Sequence, residues 1–151
     1  IELHQKESTD ALKKVLEQLV KEAVIISPER KFRPEANLDI PVTCDPVRIG
    51  QLISNIARFA DAQAFPNTSI KITLDSRDGE FTASINYMGN RLEEPFLQQL
   101  FDPSRQQEES LKKGVGIGMY IASEIAKAHE GHIEVESTRK STSLVFRMKS
   151  S

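Results

Sequence analysis

The chain has 151 residues, of which 38% are hydrophobic and 28% are charged. At roughly 100–200 residues per domain, this length predicts one domain that buries its own core without metal or disulfide support. The 20 Lys and Arg residues nearly balance the 22 Asp and Glu residues, and the resulting net charge of -2 gives no electrostatic argument for nucleic-acid binding.

The single cysteine, Cys44, excludes an internal disulfide and favours a reducing, cytoplasmic compartment. No stretch approaches the roughly 20 apolar residues of a membrane helix, so we expect no membrane contact by this domain. The chain begins with Ile1 rather than methionine, which predicts that residues 1–151 are one domain cut from a longer protein.

The first predicted element is an amphipathic helix over residues 8–24, with Ser8, Thr9 or Asp10 as its cap. Prolines then interrupt the helical pattern. The next two predicted elements are short strands separated by a polar loop, over residues 31–35 and 42–44.

Asp45 followed by Pro46 is the clearest helix start in the chain, because the carboxylate accepts free N–H groups and proline has no N–H to lose. The helix is predicted over residues 46–64 with one apolar, core-facing side. Two alternating strands, residues 69–75 and 81–87, are then predicted to form a hairpin through a turn at residues 76–79.

A short helix over residues 93–100 precedes a polar segment, residues 102–113, which we expect to be mobile. A further helix is predicted from the glycine-rich turn at residues 114–118 to a stop at Gly131. The last predicted strands are residues 133–137 and 144–148. Together these elements predict an α+β, two-layer sandwich in which a mixed, mostly antiparallel sheet packs on helices.

Gly114, Gly116 and Gly118 alternate ahead of a predicted helix, an arrangement that lets backbone N–H groups approach a phosphate. The motif alone is weak, since a glycine-rich turn also precedes helices that bind no ligand. It is not a Walker P-loop, because no Gly-Lys-Ser/Thr sequence follows.

Four blocks in order make the pattern specific. They are Asp45-Pro-Val-Arg-Ile-Gly-Gln-Leu-Ile-Ser-Asn55, Leu100-Phe-Asp-Pro103, Gly114-Val-Gly-Ile-Gly-Met-Tyr-Ile121 and Ala128-His-Glu-Gly-His-Ile-Glu-Val-Glu-Ser137. Over nearly its whole length the chain resembles the ATP-binding catalytic domain of sensor histidine kinases, within the GHKL (Bergerat-fold) ATPases. The resemblance implies ATP and Mg²⁺ as cofactors and a lid over residues 102–113.

The chain departs from the family at the metal side of the site. The family's N box carries two asparagines one helical turn apart, the second of which holds Mg²⁺, and often a lysine beyond them. Here Asn55 keeps the first position, whereas Phe59 replaces the second asparagine and Ala62 the lysine. A phenyl ring cannot ligate a hard cation that requires oxygen, which leaves Asn55 as the only metal candidate and no assigned metal site.

The adenine side also departs from the family. Its G1 box has an aspartate that accepts from the adenine amino group, followed by a Gly-x-Gly turn. Here Tyr87 stands at the aspartate, Gly89 at the first glycine and Arg91 at the second, unless the neighbouring Asn86 has taken the place of the aspartate.

The resemblance therefore implies a set of nucleotide-binding residues that is incomplete. Its members are Asn55, Gly89, Lys112, Lys113, Gly114, Gly116 and Gly118. No catalytic residue is assigned. The three histidines, His4, His129 and His132, lack the context of a phosphoacceptor, and His129 and His132 are interpreted as structural or surface residues.

Loss of two or three hydrogen bonds worth roughly 1.5–3 kcal/mol each weakens nucleotide binding by on the order of 10²–10⁵-fold. The leading hypothesis is a degenerate, pseudokinase-like catalytic domain with weak or absent ATP binding and a signalling or docking role. The alternatives are a working histidine autokinase domain with atypical nucleotide contacts, and an anti-sigma or partner-switch module on the same fold. The resemblance implies as partners an upstream dimerisation and phosphoacceptor domain and a response regulator, in a homodimeric parent protein.

Overall fold

A computed structural model of the chain describes residues 1–103 and 117–151. In chain order its elements are β1 (Lys6–Glu7), α1 (Thr9–Ile26), β2 (Lys31–Leu38), β3 (Thr43–Cys44), α2 (Pro46–Gln63), β4 (Ser69–Arg77), β5 (Glu80–Met88), α3 (Glu94–Gln99), α4 (Gly118–Ala128), β6 (His132–Ser137) and β7 (Ser141–Lys149). Within these residues, no helix is long and apolar enough to cross a membrane.

The main sheet has five strands in the order β2-β4-β5-β7-β6. The β2 and β4 strands pair in parallel, and the other three pairs are antiparallel. The two short strands β1 and β3 form a separate antiparallel pair. Helices α1, α2 and α4 pack on one face of the sheet, which confirms the predicted α+β sandwich with a mixed, mostly antiparallel sheet.

The core lies between the helices and this face of the sheet. Every second residue of β4, β5 and β7 is buried, as the period of two in a strand requires. Opposite them, α2 buries one side that includes Ile49, Leu52, Ile53 and Ile56. The sequence pattern predicted this apolar side correctly.

Asp45 begins α2 as the sequence predicts: its Oδ1 accepts from the N–H of Arg48 at 3.1 Å, and Oδ2 accepts from the N–H of His4 at 2.9 Å. Burial raises the pKa of the Asp45 carboxyl, but hydrogen bonds from the backbone N–H groups of His4, Arg48 and Val47 hold it below its ordinary value. The beginning of α2 is thereby fixed to the N-terminal segment that precedes β1.

The cap of α1 differs from the prediction. Ser8 occupies the N-cap position, but its side chain makes no capping hydrogen bond. Its hydroxyl donates instead to the carbonyls of Lys6 at 2.7 Å and Cys44 at 3.0 Å, across the β1–β3 pair. Tertiary contacts therefore replace the local cap.

The β4–β5 hairpin turns over two residues rather than the predicted four. Asp78 and Gly79 both have positive φ, 54° and 76°, and Arg77 and Glu80 on either side already pair in the ladder. Two left-handed residues between strands match the twist of the hairpin, a geometry that Asp-Gly favours.

The end of α4 also differs from the prediction of a stop at Gly131. The residue in the left-handed conformation is Glu130, with φ 57°. The N–H of Glu130 donates to the Lys127 carbonyl at 2.9 Å, and that of Gly131 to the Ala126 carbonyl at 2.8 Å, which is a Schellman ending. Gly131 is required by packing instead, since a Cβ there would lie 2.3 Å from the Arg147 carbonyl oxygen.

Five strands are longer than predicted, and β2 and β7 differ most, each extending three residues beyond one predicted end. The β2 strand continues to Leu38 past Pro34, and β7 begins at Ser141 rather than Leu144. Pro34 is tolerated because β2 is an edge strand. The polar start of β7 pairs with β5 from Met88 onward, so its partner strand rather than its own hydrophobicity places it in the sheet.

Candidate functional site

Helix α2 positions the first predicted site residue, Asn55, against the start of α4. A Cβ on Gly118 would lie 3.5 Å from both Cγ and Oδ1 of Asn55, an ordinary contact distance. The Nδ2 atom of Asn55 is buried and has no hydrogen-bond partner among the described residues. The structure thus brings Asn55 and Gly118 together and leaves one amide group without a partner there.

Phe59 lies one helical turn after Asn55 and is completely buried. Its ring stacks on Phe96 of α3, with the ring centroids 6.3 Å apart and the planes 20° from parallel. At the position that the resemblance assigns to an oxygen ligand, the structure has this aromatic pair. Ala62, at the position of the family's lysine, is half-buried and carries no charge.

Tyr87, which the resemblance assigns to the position of an adenine-binding aspartate, is 2% exposed on the core face of β5. Its hydroxyl makes no hydrogen bond of acceptable geometry among the described residues. It lies opposite Thr142 of β7, whose hydroxyl is 2.7 Å from that of Ser137. Burial raises the pKa of Tyr87, and the nearby Thr142 hydroxyl opposes this in part.

Gly89 follows the end of β5, where the chain passes very close to α2. A Cβ on Gly89 would lie 2.8 Å from the carbonyl oxygen of Gln63 and 2.9 Å from Cε2 of Tyr87. The N–H of Gly89 donates to the Lys140 carbonyl at 2.9 Å. Packing alone therefore accounts for this glycine. Arg91, at the second glycine of the family turn, is exposed.

Asn86 does not replace the missing aspartate. Buried and less buried residues alternate along β5, and Asn86 lies on the opposite face of the sheet from Tyr87. There its Oδ1 accepts a hydrogen bond from the hydroxyl of Ser143. A one-residue offset in a strand reverses the side-chain direction, so Asn86 cannot reach the helix-covered face.

The remaining predicted phosphate contacts lie outside the described residues. They are Lys112, Lys113, Gly114 and Gly116, together with most of the predicted lid, residues 102–113. Within residues 1–103 and 117–151, no cluster of three or more His, Cys, Asp or Glu side chains is arranged to hold a metal ion.

His129 is a buried structural residue, as the sequence analysis interpreted it. Its Nε2 accepts from the N–H of Asp45 at 3.1 Å, and its Nδ1 donates to the Ile125 carbonyl at 2.9 Å. The first bond joins the end of α4 to the beginning of α2, and the second fixes the ring against the last turn of α4. His132 is exposed and lies 2.8 Å from a carboxylate oxygen of Glu134.

Sequence reasoning missed two residues of this region, Phe96 and Thr142. Phe96 was inside a predicted helix, but nothing in its local pattern indicated a contact with Phe59. Thr142 preceded the apolar run from which the last strand was predicted. The period of two in a strand was the signal that could have found Thr142. Had the last strand been predicted from residue 142 rather than 144, Thr142 would have been placed on the same buried face as Leu144.

Comparison with known proteins identifies the family. Residues 44–151 match the model of the histidine kinase-, DNA gyrase B- and HSP90-like ATPases. This match covers most of the chain and includes α2, the whole hairpin and α4. The chain belongs to this ATPase family, whose members bind ATP.

Several curated relatives are sensor proteins. A bacteriophytochrome of Pseudomonas aeruginosa is 27% identical over 125 residues, 81% of this chain and 17% of the relative. The sensor protein VanSC of Enterococcus gallinarum is 29% identical over 150 residues, 96% of this chain and 40% of the relative. Sensor protein SrrB of Staphylococcus aureus is 29% identical over 110 residues, 70% of this chain and 19% of the relative. The chain thus spans well under half the length of these relatives.

The fold is also that of solved histidine kinase catalytic domains. The catalytic domain of histidine kinase ThkA superposes with a TM-score of 0.79 at 22% identity, covering 99% of this chain and 97% of that one. The mycobacterial sensor histidine kinase MprB gives a TM-score of 0.78 at 14% identity, covering 98% and 97%. These likenesses establish the fold.

Proposed function

We propose that this chain is one domain, residues 1–151, of a longer sensor histidine kinase, and that it is a degenerate catalytic domain with weak or absent ATP binding. Its role is to transmit signals through contacts with other domains or proteins. The observation that carries this proposal is the burial of Phe59 and Tyr87, the residues that the resemblance assigns to the positions for Mg²⁺ and adenine.

The metal does not fit the described side chains. Mg²⁺ requires oxygen ligands in near-octahedral geometry. Asn55 offers one amide oxygen, but Phe59 offers none, and its ring is fixed by the stack with Phe96. No step of phosphoryl transfer is therefore assigned to this site.

The adenine amino group also loses its charged acceptor. In place of a carboxylate the site has the Tyr87 hydroxyl, a neutral and therefore weaker acceptor, and burial raises its pKa further above the ordinary value of about 10. The tyrosine ring is also bulkier than an aspartate and packs against the glycine turn at Gly89. Loss of one charged acceptor costs about 1.5–3 kcal/mol, or on the order of tenfold to a hundredfold in affinity.

One observation favours a second candidate, a working autokinase domain with atypical contacts. The buried Nδ2 atom of Asn55 lacks a partner among the described residues, and Gly118 leaves room beside it. A phosphate oxygen is a suitable acceptor for that group. In this alternative Asn55 and Gly118 act with Lys112, Lys113, Gly114 and Gly116 to hold the nucleotide.

The partners follow from the class of protein. The curated relatives, a bacteriophytochrome and two sensor proteins, are much longer than this chain. We infer an upstream dimerisation and phosphoacceptor domain, a response regulator or other signalling protein as partner, a homodimeric parent and a cytoplasmic location for this domain.

Calorimetric titration with ATP, with and without Mg²⁺, tests the proposal. Ligand at a hundred times its Kd stabilises a protein by about 2.7 kcal/mol, which raises the Tm of a domain of this size by about 5–10 °C. We expect neither heat nor a comparable Tm shift at millimolar ATP. Micromolar, Mg²⁺-dependent binding overturns the proposal.

Two variants separate the explanations. Phe59→Asn with Tyr87→Asp restores the family's residues and should improve ATP binding if these side chains are the cause of weak binding. Asn55→Ala is the matched control. It should abolish ATP binding if the chain is a working autokinase domain, and it should not change ATP binding if the chain is a degenerate domain. The fold of each variant is checked by circular dichroism, since both aromatic residues are buried.

A further inference from the structure

The strand β6 forms one edge of the main sheet, with β7 as its neighbour on the inner side. Its residues, His132–Ser137, pair with β7 in one uninterrupted register. At about 3.3 Å per residue, the outer side of a six-residue strand is about 20 Å long. An edge strand of this length is a template on which a further strand can pair.

The ladder shows which backbone groups of β6 point outward. The N–H of Thr138 donates to the carbonyl of Ser141 at 2.7 Å, so this pair is a hydrogen-bonded one. Hydrogen-bonded and non-hydrogen-bonded pairs alternate along an antiparallel ladder. The residues whose N–H and C=O groups point away from β7 are therefore Ile133, Val135 and Ser137.

These outward groups are open in the part of the chain that the structure describes. Within residues 1–103 and 117–151, no hydrogen bond reaches the outward main-chain groups of Ile133 or Val135. Near Ser137 the neighbouring segment binds the side chain instead, since the N–H of Leu92 donates to the Ser137 Oγ at 2.8 Å. The edge can therefore accept a polypeptide that brings its own N–H and C=O groups.

The opposite edge of the sheet, β2, is interrupted in a way that β6 is not. Pro34 lies inside β2 and has no N–H to offer to another strand. Proline and bulges are the usual means of protecting an edge strand from pairing. The β6 strand has neither a proline nor a bulge in its register, so strand addition is favoured at this edge.

The side chains of β6 determine which kind of strand fits. His132, Glu134 and Glu136 are exposed on the outer face of the sheet, whereas Ile133 and Val135 lie half-buried on the helix-covered face. Residues directly opposite each other on neighbouring strands have Cβ atoms about 4.5–5.5 Å apart, so each side chain of an added strand meets one of these. A strand that alternates basic and apolar residues matches both faces.

The negative charge at this edge is only partly compensated within the chain. Arg147 of β7 lies 2.9 Å from a carboxylate oxygen of Glu134 and 3.0 Å from one of Glu80. Glu136 forms no ion pair with any described residue. Like charges directly opposite each other on paired strands are destabilising, so these glutamates disfavour a second copy of β6 and favour a basic partner.

We propose that β6 binds an extended segment of a partner protein that has Lys or Arg at alternate positions and apolar residues between them. The segment adds a sixth strand to the main sheet. Its backbone bonds the outward groups of Ile133 and Val135, and its basic side chains lie beside Glu134 and Glu136. The inference goes beyond the proposed function and does not depend on ATP binding, because no candidate nucleotide-binding residue lies on β6.

NMR titration of the isotope-labelled chain with a capped six-residue peptide of alternating Lys and Val tests the inference. We expect reversible binding with a Kd below about 1 mM. Hydrogen exchange of the Ile133 and Val135 amides should slow when the peptide is present, because both N–H groups become bonded. The matched control peptide has three Lys followed by three Val. It should bind at least about tenfold more weakly, since it cannot present one kind of side chain to each face.

Two variants of the chain separate backbone pairing from charge. Val135→Pro removes an outward N–H that takes no part in the β6–β7 ladder, and it should weaken binding of the alternating peptide by about tenfold or more. Val135→Thr keeps the backbone and the branched shape, so it is the matched control and should change the Kd by less than about twofold. Glu136→Lys changes an exposed side chain and should weaken binding by about threefold or more.

Three results would overturn the proposal. The first is no binding of the alternating peptide at about 1 mM. The second is equal binding of the alternating and block peptides, which would indicate charge attraction without strand pairing. The third is binding that leaves the hydrogen exchange of Ile133 and Val135 unchanged, since the peptide would then lie elsewhere on the molecule.

Discussion

Replacement of Phe59 tests whether aromatic packing closes the site. Phe59 has no exposed surface, and its ring stacks on Phe96 at 6.3 Å. Removing a buried phenyl group loses a transfer free energy of about 1.5–3 kcal/mol. The cavity left behind raises the cost of Phe59→Ala to about 3–5 kcal/mol, a large part of the total stability of a domain.

A double-mutant cycle isolates the contribution of the aromatic pair. Phe59→Ala, Phe96→Ala and the double variant are unfolded in urea, and their free energies of unfolding are compared with that of the unchanged chain. We expect a coupling free energy of about 0.5–1.5 kcal/mol between the two rings. Phe59→Leu is the control, because it keeps most of the volume and should cost less than half as much as Phe59→Ala.

A cost of Phe59→Ala below about 1 kcal/mol, the typical effect of a point substitution, would refute aromatic closure of the site. Such a small loss would mean that the ring does not fill a closed core in solution. The position that the family uses for Mg²⁺ would then be accessible, and the argument for weak nucleotide binding would lose its structural basis.

Four further results are expected. Glu130→Gly should stabilise the fold by about 0.5–1 kcal/mol, because glycine adopts the left-handed conformation without strain, and this gain exceeds the extra entropy that glycine loses on folding. Gly131→Ala should destabilise the fold by about 1–3 kcal/mol, because the added Cβ would contact the Arg147 carbonyl oxygen. Thermal unfolding measures both changes. Folding lowers the pKa of the Asp45 carboxyl, so the stability that this group contributes is present above its unfolded pKa of about 3.9 and is lost as pH falls through its folded pKa. Asp45→Asn should therefore reduce the fall in the urea midpoint of unfolding as the pH is lowered. Burial raises the pKa of Cys44 to about 11, so its thiol should react with a disulfide reagent at neutral pH only after unfolding, and rapid reaction of the native chain would contradict this burial.

Local chemistry predicted those parts of the fold that depend on neighbours in sequence. The Asp45-Pro46 pair marked the beginning of α2 because capping involves only the next few residues. Alternating apolar residues likewise predicted both strands of the β4–β5 hairpin, since a strand with one buried face must alternate. These elements were confirmed with small changes at their ends.

The sequence could not predict features that depend on distant partners. The stack of Phe59 on Phe96 joins α2 to α3, and no period within either helix indicates it. The helix stop was assigned to Gly131 by its residue type, whereas a close approach to β7 explains that glycine and Glu130 takes the turn. In the candidate site, the family resemblance gave the positions of Phe59 and Tyr87, but only the structure gave their burial.

The contacts of Asp45 have a consequence for the order of folding. Its carboxylate binds the N–H of His4, 41 residues away, and its N–H binds the ring of His129, 84 residues away. Contacts between such distant segments close large loops and tend to form late. Asp45→Ala removes the carboxylate contact to His4 and keeps the backbone N–H bond to His129. The loss of the His4 contact should speed unfolding much more than it slows refolding, as stopped-flow kinetics would measure. The contacts that join the N-terminal segment, the beginning of α2 and the end of α4 would then set the unfolding rate, and with it the lifetime of the folded domain.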